Sequence, residues 1–321
     1  MRCTRRDIGK LALTALPAAS LLARPFAALA QGKPNSVVNG VRVGAITYSY
    51  RSMPDQSAEA TLRYIVDSGI SQIEFMGGPV EAFAGAPQAP QRGGGRRGGR
   101  PPSPEQQAAQ RDASNTLRAW RTSVSMDRFK ALRRMYNDAG VTIYAWKRLS
   151  PNMTDEECEY IFNVAEALGC THTTLELTDD VAQLKRIGAF AEKKKIYAAY
   201  HTHLQGSMTA FDRAFAVSRG NRANVDFGHF VAAGGDPMAF LTKFHDRIAS
   251  FHLKDRTTPA NGQKNVAWGT GDTPLTALLQ AVKKNRWTMP ATIEVEYEVP
   301  QGSDAVQEVR KCLDYCRKAL A

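Results

Sequence analysis

In the stretch IYAAYHTH, His201 and His203 stand two apart where an apolar run ends. Side chains two apart on a strand share one face, so two imidazoles would leave the same side of it. Ionisable residues close other strand-like runs too: Glu74, Lys147 and Glu176 in the first half, then Asp226 and His229, then His252, Lys254 and Asp255, and last Glu294 and Glu296. Gathering this many charges in one place without compensation costs too much to tolerate. A divalent cation resolves the conflict, because carboxylates and neutral imidazoles become its ligands. Two Glu, one Asp and one His form a mixed oxygen and nitrogen set that suits Mn2+, Co2+, Zn2+ or Mg2+. No cysteine is among them, which excludes a thiolate zinc site.

Each residue also has a structural reading. Glu176 or Asp226 alone could cap a helix, and His252, between Phe251 and Leu253, could be a hydrogen-bonded core histidine. Glu294 and Glu296 share one face of a strand whose other positions are Ile293, Val295 and Tyr297, and a carboxylate pair aimed inward is hard to explain structurally. His172, at a strand start, and His245, in a helix, read as structural.

The elements that would position these groups alternate along the chain. Strand-like runs cover 42–50, 71–76, 141–146, 171–177, 196–201, 223–228, 248–253 and 291–297. Amphipathic helical patterns lie at 57–68, 124–139, 154–168, 180–194, 273–285 and 303–320. Thr154–Glu157 and Asp272–Pro274 carry helix-start chemistry. Eight strands, each followed by a helix, predict a single (β/α)8 TIM barrel of α/β class over 37–321, whose chemistry collects at the C-terminal strand ends. A doubly wound sheet would want a glycine-rich turn after its first strand, and TYSYRSMPDQ has none. The Arg/Gly/Pro-rich stretch 84–107 has no apolar face and reads as a flexible loop insertion after the second strand.

The 321 residues carry a formal charge of +11. Residues 1–30 contribute +4 and 88–121 contribute +5, leaving +2 for the rest. The basicity therefore belongs to one terminus and one loop, not to a nucleic-acid-binding face. The N-terminus places Arg5 and Arg6 before an apolar run from Leu11 to Ala23, with Ala28-Leu29-Ala30 behind it. This resembles a twin-arginine signal peptide over 1–30, which implies a periplasmic protein without stable membrane association once the signal is removed. Cys158, Cys170, Cys312 and Cys316 form no C-x-x-C pair and read as small core residues, although an oxidising compartment permits a Cys158–Cys170 bridge.

YHTH, VDFGH, SFHLKD, GTGDTPL and ATIEVEYE together resemble the xylose-isomerase-like barrels of sugar phosphate isomerases and epimerases. The resemblance implies one divalent metal held by Glu176, Asp226, His252 and Glu296. Glu294 is the rival for the last place; Glu296 is preferred because it lies nearer the strand end and precedes a tyrosine. It further implies that Glu176 and Glu296 exchange a proton beside a substrate carbonyl; Lys254 would stabilise an enediolate oxygen there or simply pair with Asp255. His201, His203, His229, Glu74, Lys147 and Glu294 would contact a small carbohydrate. The expected activity is sugar isomerisation or epimerisation; a 3-keto-glycoside lyase or hydrolase would use the same residues, and a periplasmic sugar-binding protein is the non-enzymatic alternative. No nucleic-acid partner is expected, and assembly into a homo-oligomer stays open.

Overall fold

A computed structural model describes residues 32–87 and 103–321, within which Pro34–Ala321 forms one unit. Eight parallel strands build it: β1 (Val41–Ile46), β2 (Gln72–Met76), β3 (Thr142–Lys147), β4 (His172–Glu176), β5 (Tyr197–His201), β6 (Asn221–Asp226), β7 (Ile248–Leu253) and β8 (Ala291–Ile293). Their order around the sheet is β1-β8-β7-β6-β5-β4-β3-β2, and β1 also pairs with β2, which closes the barrel. Every strand expected from the sequence is present. The last is shorter than the 291–297 run, although the Glu294 N–H still bonds the Leu253 carbonyl.

Helices cover the outside: α1 (Ala58–Asp67), α2 (Gly77–Phe83), α3 (Pro104–Ser123), α4 (Met126–Asp138), α5 (Asp155–Leu168) and α6 (Val181–Lys194) in the first half. The second half holds α7 (Asp212–Val217), α8 (Phe227–Ala232), α9 (Pro237–Phe244), α10 (Leu275–Asn285) and α11 (Ala305–Leu320). Thr154 and Glu157 form a reciprocal capping box at the start of α5, as their spacing predicts. Outward-facing strand residues such as Val43, Ile73, Phe251, Leu253 and Ile293 are fully buried against these helices. Burial of that kind, at roughly 1.5–3 kcal/mol per large side chain, holds the helical layer to the sheet.

The barrel interior is polar, unlike the branched aliphatic filling such barrels normally carry. Glu74, Tyr144, His172, Thr174, His201, Asn224, Ser250, His252 and Thr292 are all essentially inaccessible. Gly44 makes room for this filling, since a Cβ there would stand 2.8 Å from the Tyr144 ring. One extra residue on β3 at Tyr144 resets the side-chain phase against β2, so that Lys147 pairs in register with Met76. A second irregularity between β6 and β7 brings Asp226 into register with His252.

The 84–107 insertion is corrected at its C-terminal end. Ser103 and Gln106 form a capping box with Pro104 in the first turn, so 104–107 already belong to a twenty-residue helix, α3. Residues 88–102, like residues 1–30 on which the signal-peptide expectation falls, lie outside the described residues. α3 is held by Trp120, which packs edge-on against Tyr160, and by Arg121, 6% exposed, which donates to Glu81 and Glu157 at 2.8 Å each. Tyr160 and Arg148 complete that buried cluster around Glu81. All four described cysteines are buried and free, including Cys158 and Cys170.

Candidate metal centre and catalytic mouth

The deepest functional group is Glu74 on β2, fully buried beneath the mouth. Its carboxylate accepts from Thr174 Oγ1 at 2.7 Å, from Asn224 Nδ2 at 3.1 Å and from His252 Nε2 at 2.8 Å. Glu74 is expected from the sequence to touch substrate; here it is fully buried, and β4, β6 and β7 each turn a side chain onto its carboxylate. It orients His252 instead. Burial alone would raise Glu74, yet His252, Lys147 and Thr174 bring its pKa down to about 2.

His252 bridges two carboxylates. Its other nitrogen, Nδ1, bonds Glu294 Oε2 at 2.9 Å and lies 3.9 Å from Asp226 Oδ2. Burial disfavours the imidazolium, but Glu74 and Glu294 reverse that and lift its pKa to about 10. Lys254, just past the end of β7, sets its ammonium 3.0 Å from Asp226 Oδ2, 3.0 Å from Glu294 Oε2 and 2.5 Å from Glu296 Oε2. Burial works against that charge too, and the three carboxylates raise the lysine well above its ordinary value. Asp226 remains the least satisfied acid: burial, opposed mainly by Lys254, pushes it up to about 6.

Hydrogen-bond direction fixes the tautomer of His201. Asn224 must turn its amide N–H groups to the Glu74 carboxylate and to Ser250 Oγ at 2.7 Å, so its Oδ1 faces His201 Nδ1 at 2.9 Å. His201 therefore carries its proton on Nδ1 and keeps a lone pair on Nε2. Burial, with Lys147 and His252 nearby, lowers its pKa to about 3, so it is neutral. The polar chain continues inward from Ser250 Oγ to His172 Nε2 at 2.9 Å, which makes His172 the structural histidine its position implied.

His201, Asp226, His252 and Glu294 each offer a ligand atom, and all four atoms lie within 4.8 Å of one another. Around a six-coordinate first-row ion with bonds of about 2.1 Å, ligand atoms stand roughly 3–4.2 Å apart. Asp226 Oδ2 is buried and accepts no hydrogen bond; the Lys254 ammonium beside it lacks the alignment of one. A histidine whose Nε2–H is held by a carboxylate while Nδ1 faces open ligands is the usual support for a bound metal. The residues present therefore fit a divalent cation.

The structure groups Asp226 and His252 with Glu294 and His201, and gives the other two expected ligands different partners. Thr292 lies in register with His252, and the next residue of the same phase is Glu294, which is why it joins this layer. Glu296 is one pleat higher, its side chain 25% exposed, against Lys254 and 3.9 Å from His229 Nε2. Glu176, its side chain half exposed, is held by Lys147 Nζ at 2.9 Å and His203 Nε2 at 2.9 Å. Burial would raise it, but the His203 hydrogen bond and Lys147 hold it well below the usual carboxylate range. β4 and β8 stand four strands apart in an eight-stranded ring, so Glu176 and Glu296 face each other across the mouth.

The remaining histidines climb out of the barrel. Ring centroids are 4.7 Å apart for His252 and His201, 5.0 Å for His201 and His203, and 4.8 Å for His203 and His229. The Asp226 side chain accepts the His229 N–H at 2.7 Å, which fixes the D-x-x-H spacing, and Arg256 holds His229 Nδ1. His229 Nε2 is left buried and unpartnered, and burial, with Lys254 and Arg256 alongside, drives its pKa down to about 2. Asp255 does not pair with Lys254; it accepts the N–H groups of Gly269, Thr270, Gly271 and Thr273 and so fastens the GTGDT loop. Thr174, Asn224, Ser250 and Arg256 were not singled out from sequence. Asn224 was within reach, since it lies two before Asp226 on the same strand face.

Residues 121–318 match the family described as Xylose isomerase-like TIM barrel, a span that contains His201, Asp226, His252 and Glu294. The chain belongs to the xylose isomerase-like TIM barrel family. Within the family, it is similar to an inosose dehydratase of Clostridium tetani (strain Massachusetts / E88), 28% identical over 134 residues, which cover 39% of this chain and 42% of that protein. The chain thus spans less than half the length of this curated relative. Among solved structures, a xylose isomerase domain protein from Alicyclobacillus acidocaldarius superposes with a TM-score of 0.60 at 14% identity, covering 87% of this chain and 99% of that one. The probable 3-DHS dehydratase involved in petrobactin synthesis from Bacillus anthracis gives 0.58 at 13%, covering 85% and 98%. At these identities the two structures speak for the fold alone.

Proposed function

We propose that this family member abstracts a proton beside the carbonyl of a polyhydroxylated ketone, a keto-sugar or keto-inositol, and expels an oxygen substituent from the next carbon. The observation that carries the reading is the four-residue ligand layer beneath two opposed carboxylates. His201, Asp226, His252 and Glu294 would hold the divalent cation, in place of the sequence-derived set with Glu176 and Glu296. A cation bound there would polarise the ketone and make the adjacent C–H more acidic.

The chain's own groups then divide the work. One of Glu176 and Glu296 takes the proton, and the C–H electrons become the new C=C bond. The C–O bond breaks on the next carbon, its pair leaves with the oxygen, and a proton from the opposite side of the mouth neutralises it. Lys254, permanently charged, stabilises the enediolate oxygen. His203 and Lys147 keep Glu176 ionised and turned inward, and His229, whose Nδ1 accepts from Arg256, donates its Nε2–H to a substrate hydroxyl oxygen. Similarity to inosose dehydratase favours elimination over epimerisation, which would require the proton to return to the same carbon. We further propose export to the periplasm, tested by whether Arg5→Lys with Arg6→Lys retains a fused reporter in the cytoplasm.

The test is to supply a keto-inositol, a 3-keto-glucoside and free ketohexoses with Mn2+ or Co2+. Loss of water or aglycone, with an enone absorbing in the ultraviolet, supports the reading. Solvent deuterium entering a ketohexose without elimination would assign epimerisation instead, and no reaction with any of them would refute both.

A further inference from the structure

The barrel has a second cavity at the end opposite the catalytic mouth, about 420 Å³ in volume and formed where the strands begin. Arg42 enters it from β1, Arg222 from β6, and Arg286 from the end of α10. None of the three guanidinium groups has a carboxylate within 4.0 Å among the described residues; every ion pair there joins other groups. Arg42 is engaged by two neutral oxygens, Gln72 Oε1 at 2.6 Å and the Thr288 carbonyl at 3.5 Å. Arg222 lies over the Tyr197 ring, 4.5 Å from its centroid, and donates to the Asp246 carbonyl. Its Nε is buried without any hydrogen-bond partner.

Three guanidinium groups against the single carboxylate of Asp246 leave this cavity with a surplus of positive charge. The adjoining wall is aromatic: Trp287 stacks on His245 with centroids 4.6 Å apart and planes 13° from parallel. Planar donor forks match oxyanions in geometry as well as charge, and flat apolar walls accept a ring or short carbon body. The volume falls within the range of small-ligand sites and exceeds what an inorganic ion fills. We infer that this cavity is a binding site for a small organic oxyanion, a carboxylate or phosphate monoester with a flat or apolar body, separate from the catalytic mouth.

The experiment titrates the full-length protein with benzoate, phenyl phosphate and inorganic phosphate at constant ionic strength. Calorimetry follows the heat, and tryptophan emission reports on Trp287. The site predicts saturable binding of benzoate or phenyl phosphate at or below millimolar concentration, and weaker binding of inorganic phosphate. Arg222→Gln should weaken it about tenfold, as loss of one charge-assisted hydrogen bond does. Arg286→Gln should act in the same direction; Arg286 is exposed, so this variant keeps its fold. Glu296→Gln, in the catalytic mouth, should leave binding unchanged, and Trp287→Phe should abolish the emission change while the heat remains. Absence of saturable binding of all three anions up to 10 mM, or equal affinity in both arginine variants, would overturn the assignment.

Discussion

Replacing Glu74 by Gln isolates what a fully buried carboxylate contributes beneath the ligand layer. Glu74 accepts three hydrogen bonds, from Thr174, Asn224 and His252. A Gln side chain can keep its oxygen toward Asn224 and His252 and turn its amide to Thr174 Oγ1, which accepts as readily as it donates. Geometry then survives and only the charge is lost. His252 Nε2–H would face a neutral oxygen, making Nδ1 a poorer ligand; losing such a supporting group typically costs 10–100-fold in metal affinity. Glu74→Ala is harsher, because it strands the buried His252, Asn224 and Thr174 donors and opens a void, at about 3–5 kcal/mol. At roughly 2–4 °C per kcal/mol for a domain of this size, that is a fall of about 6–20 °C in Tm. Calorimetric titration of Mn2+ or Co2+ and thermal unfolding measure the two effects. Wild-type metal affinity in Glu74→Gln, with Tm unmoved in Glu74→Ala, would refute the claim that Glu74 orients His252.

Other substitutions separate the layers. Glu294→Gln should lower metal affinity by at least a hundredfold, whereas Glu296→Gln should bind metal normally and lose about 10²–10⁴-fold in kcat; parallel metal titrations and turnover assays distinguish them. Arg121→Ala should leave Glu81 and Glu157 buried without their cation and cost about 3–5 kcal/mol, read by chemical denaturation. Burial, despite the pull of Glu74, holds the His172 pKa at about 4. A histidine depressed in the folded state binds fewer protons there than when unfolded, so stability falls as pH drops from about 6.5 toward 4, by on the order of 3 kcal/mol in full. Denaturation midpoints for His172→Gln should fall less steeply by that amount, His201 and His229 keeping their own shares, and an unchanged slope would contradict it.

How much of this could be read from the chain depends on which kind of signal a residue carries. The eight strands announced themselves because parallel barrel strands are short apolar runs, and six helices because they bury a stripe. α3 half-buries only a thin stripe, Ala113, Leu117 and Trp120, and its sole fully buried residue is Arg121, so its sequence reads as solvated. α2, α7, α8 and α9 are short, and their packing becomes evident only once neighbouring strands are in place. At the site, strand ends revealed the ionisable residues but not their depth. Glu294 and Glu296 share a face, and only the register with β7 shows that Glu294 belongs to the level next to His252. Glu74 looked like a mouth residue because it sits on an apolar strand. Its place beneath His252 follows from strand tilt and side-chain reach, which one-dimensional spacing does not contain.

The central claim is that His201, Asp226, His252 and Glu294 share one cation. Crystals grown with Co2+ or Mn2+, measured at the metal's absorption edge, test it most directly. The account predicts one strong anomalous peak about 2.0–2.3 Å from an atom of each of the four, with His252 Nε2 still on Glu74. A peak between Glu176 and His203, or an undisturbed Lys254 bridge to Asp226 and Glu294 with no metal at saturating concentration, would contradict it.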